Sequence, residues 1–99
     1  MSDVDDTDID GNEADGNAAA AATATSVLDH LVSSLVDDPD AVQILAIQQR
    51  DRVRLEVRVG PDDMGRVIGK RGRVANAIRT VVRAAAVRDD VDVDIEFED

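Results

Sequence analysis

The chain has 99 residues, 22 acidic and 11 basic side chains, a net charge of −11, and no cysteine, tryptophan or tyrosine. That length allows one small domain with a modest core. The lack of cysteine excludes disulfides and thiolate metal sites, and no apolar run approaches the roughly 18–20 residues that span a bilayer.

Residues 1–25 read as a disordered acidic tail. They carry Asp3, Asp5, Asp6, Asp8, Asp10, Glu13 and Asp15 without one basic residue, and little that is apolar enough to bury. The Ala18–Ala22 run is too short and unpatterned to count as more than a fraying linker. A solubilising role is the ordinary reading of such a block. A sharper one is competition with a nucleic acid for basic residues elsewhere in the chain. The acidic start has no basic-then-apolar leader pattern, so a cytoplasmic location is expected.

The folded domain is expected over residues 26–99. Ser26 with Asp29 reads as a capping box that opens a helix. Val27, Leu28, Leu31, Val32, Leu35 and Val36 form its apolar stripe. Asp38-Pro39 ends it, because proline pushes the residue before it out of the helical region. Residues 41–49 then read as a strand, with Val42, Ile44 and Ala46 on one face and Leu45 and Ile47 on the other. Residues 52–59 alternate, with Val53, Leu55, Val57 and Val59 inward and Arg52, Arg54, Glu56 and Arg58 outward. The short Arg50-Asp51 link suggests a hairpin.

Gly60-Pro61-Asp62-Asp63 breaks the strand and opens a short helix, with the acids in its first turn where the dipole favours them. Met64, Val67 and Ile68 share a face. A second helix of about four turns follows Gly72, with Val74, Ile78, Val81, Val82 and Ala85 as its core stripe and Arg73, Asn76, Arg79 and Arg83 opposite. Residues 91–97 alternate once more, with Val91, Val93, Ile95 and Phe97 inward. The order is α-β-β-α-α-β, an α+β fold in which three helices cover one face of a three-stranded sheet. On the open face, Arg54 and Arg58 are expected to pair with Asp92, Asp94 or Glu96 across strands.

Between the last two helices lies Gly69-Lys70-Arg71-Gly72. Two glycines permit a sharp turn and close approach of another backbone. The residues between them are both cationic, and the N-terminal end of the next helix faces whatever the loop holds. From Arg66 to Arg88 there are seven bases (Arg66, Lys70, Arg71, Arg73, Arg79, Arg83, Arg88) and no acid. Local field rather than whole-chain charge decides where a phosphate goes.

The element order, with Val67-Ile68-Gly69-x-x-Gly72 between the second and third helices, resembles the prokaryotic, type II KH domain. Pro61-Asp62-Asp63-Met64-Gly65-Arg66 leading into that loop is similar to the small stand-alone bacterial KH proteins of the KhpA type. The resemblance covers roughly residues 26–99. It implies a module that clamps single-stranded RNA. Gly69, Lys70, Arg71 and Gly72 would grip the backbone, with Arg66 and Arg73 beside them. Met64, Val67, Ile68 and Val74 would line an apolar groove for the bases, with Leu55 or Val57 completing its floor. It further implies a post-transcriptional or RNA-chaperone role linked to cell shape and division, and pairing as a homodimer or with a second KH protein of the Jag/KhpB type.

No catalytic constellation is present. The one histidine, His30, lies inside the first helix, no His/Cys cluster suits a metal, and the loop lacks the spacing and Lys-Ser/Thr ending of a nucleotide-binding P-loop. No enzyme activity, cofactor or metal is expected. The competing reading is a protein–protein scaffold with the same fold, in which RNA contact is secondary. Lys70 and Arg71 favour the RNA-binding reading, since a scaffold would tolerate neutral or acidic residues there.

Overall fold

The computed structural model describes residues 20–98. Helix α1 spans Ala22–Leu35, strand β1 Gln43–Gln48, strand β2 Val53–Arg58, helix α2 Met64–Ile68, helix α3 Arg73–Ala86 and strand β3 Val93–Glu98. This is the expected α-β-β-α-α-β order, an α+β fold with three helices and a three-stranded sheet.

The sheet order is β1-β2-β3. Strands β1 and β2 are antiparallel, with Leu55 opposite Ala46 and Val57 opposite Ile44. The hairpin closes through the Gln49 amide donating to the Arg52 carbonyl at 2.8 Å, flanking the expected Arg50-Asp51 link. Strand β3 runs parallel to β2, with Ile95 opposite Leu55 and Phe97 opposite Val57. A parallel neighbour requires a crossover, and α2, the glycine loop and α3 form it. The loop therefore lies inside the connection that closes the sheet.

The period-2 pattern of β2 holds without exception. Val53, Leu55 and Val57 are fully buried, while Arg54, Glu56 and Arg58 face outward. Leu28 and Val32 of α1, Ile78 and Val82 of α3, Val67 of α2 and Ile95 of β3 complete the core. Each such side chain contributes about 1.5–3 kcal/mol by leaving water.

The start of the domain differs from the expectation. Helix α1 begins at Ala22, not Ser26, and Ser26 is an exposed residue within it. Ala21 and Ala24 are fully buried, because small side chains let α1 approach its neighbours closely. No side chain of α1 caps its first turn. Instead the Asp89 carboxylate, just beyond α3, accepts the amides of Thr23 at 3.2 Å and Ala24 at 3.0 Å. A cap supplied 65 residues away in sequence leaves no local signature. The tail expected over residues 1–25 thus loses 20–25 to the fold, and residues 1–19 lie outside the described residues.

Two further phases are corrected. Helix α1 ends at Leu35, ahead of Asp38-Pro39. In α3 the buried positions are Ala75, Ile78, Val82 and Ala86, whereas Val81 is 47% exposed. The stripe runs through Ala75 and Ala86, while Val74 and Ala85 of the expected stripe are half-buried and Val81 is exposed.

The outer face of the sheet carries ion pairs, with partners other than those expected. Arg54 pairs with Glu56 at 2.8 Å and Arg58 with Glu98 at 3.6 Å, while Asp94 is taken by Arg52 at 3.1 Å. Arg83 also reaches Asp94, at 3.9 Å from the other side of the edge strand.

Candidate nucleic-acid interface

Three of the four residues of the loop between α2 and α3, all but Lys70, have positive φ. Gly69 has φ 75°, Arg71 φ 58° and Gly72 φ 73°. Gly69, with ψ 178°, sits in a region essentially restricted to glycine. A Cβ there would also stand 2.4 Å from Cγ2 of Val74. Gly69 is therefore fixed twice, by backbone conformation and by the packing of α3 against it. Gly72 is fixed once, since a Cβ on it would meet open space. The turn is held by the Gly69 amide donating to the Gly65 carbonyl at 2.9 Å and the Gly72 amide donating to the Gly69 carbonyl at 3.2 Å.

Lys70 and Arg71 project from this turn and are exposed, as is Arg73 at the start of α3. No side chain caps the first turn of α3, so the positive end of a 14-residue helix stands at the loop. Among the described residues, no ion pair engages Lys70, Arg71 or Arg73. The arrangement presents two or three uncommitted cations beside a backbone that an anion can approach.

Arg66 is placed differently. Its Nη2 lies 2.8 Å from Asp37 Oδ2 and its Nε 3.2 Å from Asp63 Oδ1. Asp63 is 3% exposed and accepts the amides of Asp37 at 3.0 Å and Asp38 at 3.1 Å. Asp63 lies in the 3-10 turn that opens α2 and makes no side-chain cap bond to that helix. It ties the end of α1 to α2, and Arg66 completes that brace.

The apolar residues separate too. Met64, Ile68 and Val74 are half-buried and border the loop. Val67 is fully buried, which corrects its expected place in a groove: it belongs to the core cluster and anchors α2 there. Leu55 and Val57 are likewise fully buried, so they cannot floor a groove.

One contact was not anticipated. Arg79 of α3 lies over the ring of Phe97, 5.3 Å from its centroid. It donates from Nε to the Ile95 carbonyl at 3.2 Å and from Nη1 to Asn76 Oδ1 at 3.0 Å. The signal was the i, i+3 spacing of Asn76 and Arg79, but only the sheet register brings Phe97 beneath them. The single aromatic face is thus covered by a guanidinium, a contact of about 0.5–1 kcal/mol.

Comparison with known proteins agrees with this geometry. The family model described as the KhpA/KhpB KH domain matches residues 25–97. A Clostridium acetobutylicum protein named RNA-binding protein KhpA is 49% identical over 71 residues, covering 72% of this chain and 95% of that protein. A protein of the same name from Streptomyces coelicolor is 54% identical over 71 residues, covering 68% of this chain and 90% of its own. Another, from Mycobacterium bovis, is 45% identical over 62 residues, covering 63% and 78%. The matched span runs from the first turn of α1 to the end of β3, glycine loop included, and the chain belongs to the KhpA/KhpB KH-domain family.

Proposed function

We propose that this domain is a non-catalytic, single-stranded RNA-binding module. Gly69, Lys70, Arg71 and Gly72 grip the sugar–phosphate backbone, Arg73 adds charge, and Met64, Ile68 and Val74 offer aliphatic surface to the bases. Arg66 contributes mainly by bracing α2. The observation that carries the reading is the adjacent exposed pair Lys70 and Arg71 on a left-handed turn at the head of α3. The relatives' printed name, RNA-binding protein, points the same way.

A loop of this size contacts about four nucleotides, so a single domain binds weakly and function needs avidity. A second KH domain supplies it, in a homodimer or in a partner of the Jag/KhpB type. Val81, 47% exposed on α3, is apolar surface open to such pairing. A post-transcriptional or RNA-chaperone role in the cytoplasm, linked to cell shape and division, fits a small module of this kind. No described helix is long and apolar enough to cross a membrane.

The test is fluorescence anisotropy of a labelled single-stranded RNA with the wild type and the double substitution Lys70→Asp/Arg71→Asp, with circular dichroism as the folding control. Loss of at least about tenfold in affinity is expected, because two charge-assisted phosphate contacts become repulsive. Equal binding by both folded proteins would assign the RNA contacts to residues outside the loop, and binding by neither would favour the scaffold reading instead.

A further inference from the structure

The sheet order β1-β2-β3 leaves β1 and β3 each with an open edge, and the two edges are finished differently. On β3, Arg79 donates to the Ile95 carbonyl and its guanidinium covers Phe97. Asp94, Glu96 and Glu98 put charge along the same strand. Covering and charging an edge are ordinary means of keeping it from pairing. Strand β1 has neither: Gln43–Gln48 contains no charged residue and no proline, and Leu45 is 56% exposed.

The ladder fixes which β1 groups are open. The Gln49 amide donates to the Arg52 carbonyl, and the Val53 amide turns the other way, to the Asp92 carbonyl. Bonding alternates along an antiparallel pair, so Gln43, Leu45 and Ile47 bond to β2. The amides and carbonyls of Ile44, Ala46 and Gln48 point away from the sheet, and among the described residues no strand lies beyond them. Donors and acceptors at strand spacing are matched by another extended backbone.

Both faces beside this edge are hollow. On the helix side, a groove of about 460 Å³ is lined by Ala22, Thr25, Ser26 and Asp29 of α1 and by Ile44. On the outer side, a hollow of about 340 Å³ is lined by Gln43, Ile44, Leu45, Glu56 and Arg58. An added strand alternates its side chains between the faces. One set enters the groove beside Ile44, where Ala22, Thr25 and Ser26 are small enough to leave room, and the other lies over Leu45. The Thr25 hydroxyl in the groove wall is buried without a hydrogen-bond partner.

Charge selects the occupant. Asp29 is the one charged residue lining the helix-side groove. It accepts the Ser33 hydroxyl and enters no ion pair among the described residues. A second copy of the chain would bring another Asp29 and a further net charge of −11, with no cation in the groove to meet either. We propose that the β1 edge docks an extended peptide segment of a partner protein, which adds a fourth strand to the sheet. Its apolar side chains fill the groove and cover Leu45, and a lysine or arginine meets Asp29. The site lies on the sheet edge opposite β3, apart from the glycine loop, and does not depend on RNA binding.

The test adds the synthetic peptide acetyl-Arg-Val-Thr-Val-Lys-Val-Arg-amide to the full-length chain at about 0.15 M salt. In backbone amide spectra, Ile44, Ala46 and Gln48 should shift, and at saturation their exchange with solvent should slow at least about tenfold. The amides of Phe97 and Gly69–Arg73 should stay unmoved. A peptide with Glu in place of each Arg and Lys should bind at least about tenfold more weakly, and Asp29→Asn should weaken the basic peptide about threefold. Ala46→Pro deletes one open donor where an edge tolerates proline, and Leu45→Lys charges the edge without touching its backbone. Each should abolish binding with an unchanged circular dichroism spectrum, and Leu45→Lys keeps the test decisive if proline disturbs the strand. Unshifted β1 amides, or shifts centred elsewhere, would overturn the site. Equal binding of the acidic peptide would overturn the assigned chemistry. A dimer in sedimentation without peptide, dissolved by Leu45→Lys, would overturn the peptide in favour of a second copy.

Discussion

Gly69 and Gly72 look equivalent in sequence and are not equivalent in the fold. Alanine at Gly72 meets only a left-handed backbone penalty of about 1–2 kcal/mol. Alanine at Gly69 meets a glycine-only conformation, costing about 1–3 kcal/mol, and a Cβ 2.4 Å from Val74 Cγ2 that forces α3 to shift. Urea denaturation should therefore rank Gly69→Ala as clearly less stable than Gly72→Ala; equal midpoints would contradict the close approach. The same scale separates the two acids at the start of α2. Asp63 is buried and braces the chain at Asp37 and Asp38, while Asp62 is exposed. Both lie in one dipeptide, and nothing in the spacing distinguishes them, because the difference is made by amides 25 and 26 residues away.

At the scale of the element, the phase of α3 is the informative correction. Val81 and Val82 are adjacent and chemically identical, yet Val82 is fully buried and Val81 is 47% exposed. Val82→Ala should cost about 2–3 kcal/mol through lost transfer energy and a cavity, and Val81→Ala less than about 1 kcal/mol by the same area argument. Comparable losses in chemical denaturation would mean that the helix is rotated from its position here. Helix α1 adds a pH dependence. Burial acts to raise the Asp89 carboxyl, but the amides of Ala24 and Thr23 outweigh it and hold the group below its ordinary value. A carboxyl depressed in the folded state contributes stability above its unfolded value, near 3.9, and loses it as pH falls through the folded one. Asp89→Ala should therefore cost about 1 kcal/mol at pH 7, as lost N-caps do. The gap from wild type should narrow as pH falls below about 4. A gap that is constant down to pH 2 would show that the carboxylate charge is not what holds α1.

For the whole molecule, charge is segregated rather than averaged. A chain with net charge −11 presents, among the described residues, a group of three neighbouring cations without ion pairs (Lys70, Arg71 and Arg73) at the N-terminal end of α3, beside the loop, and this governs how salt acts. With about three phosphates neutralised, log affinity for single-stranded RNA should fall against log salt with a slope near −2. Lys70→Gln/Arg71→Gln should bring the slope close to −1 with the fold unchanged. An unaltered slope would assign the phosphate contacts to cations elsewhere. The ion pairs of the sheet's outer face should contribute little to stability, since exposed pairs are worth about 0–1 kcal/mol. Their larger effect is to keep Arg52, Arg54 and Arg58 occupied and away from any anion.

The sequence by itself determined the elements, their order and the loop. Period-2 alternation over residues 52–59 and 91–97 reports which strand face is buried, and the two glycines around Lys70-Arg71 report a left-handed turn, because both are local properties of the backbone. Tertiary structure decided what depends on distant neighbours. It decided that α1 begins at Ala22 under an aspartate from the far end of the domain, and that Val67 belongs to the core. It decided that Arg66 is spent on a brace, and that Arg79 covers the only aromatic ring. A helix stripe several residues wide fits more than one rotation, and a cation does not reveal its partner until the chain has folded. Both are resolved only by packing and by charges far apart in sequence.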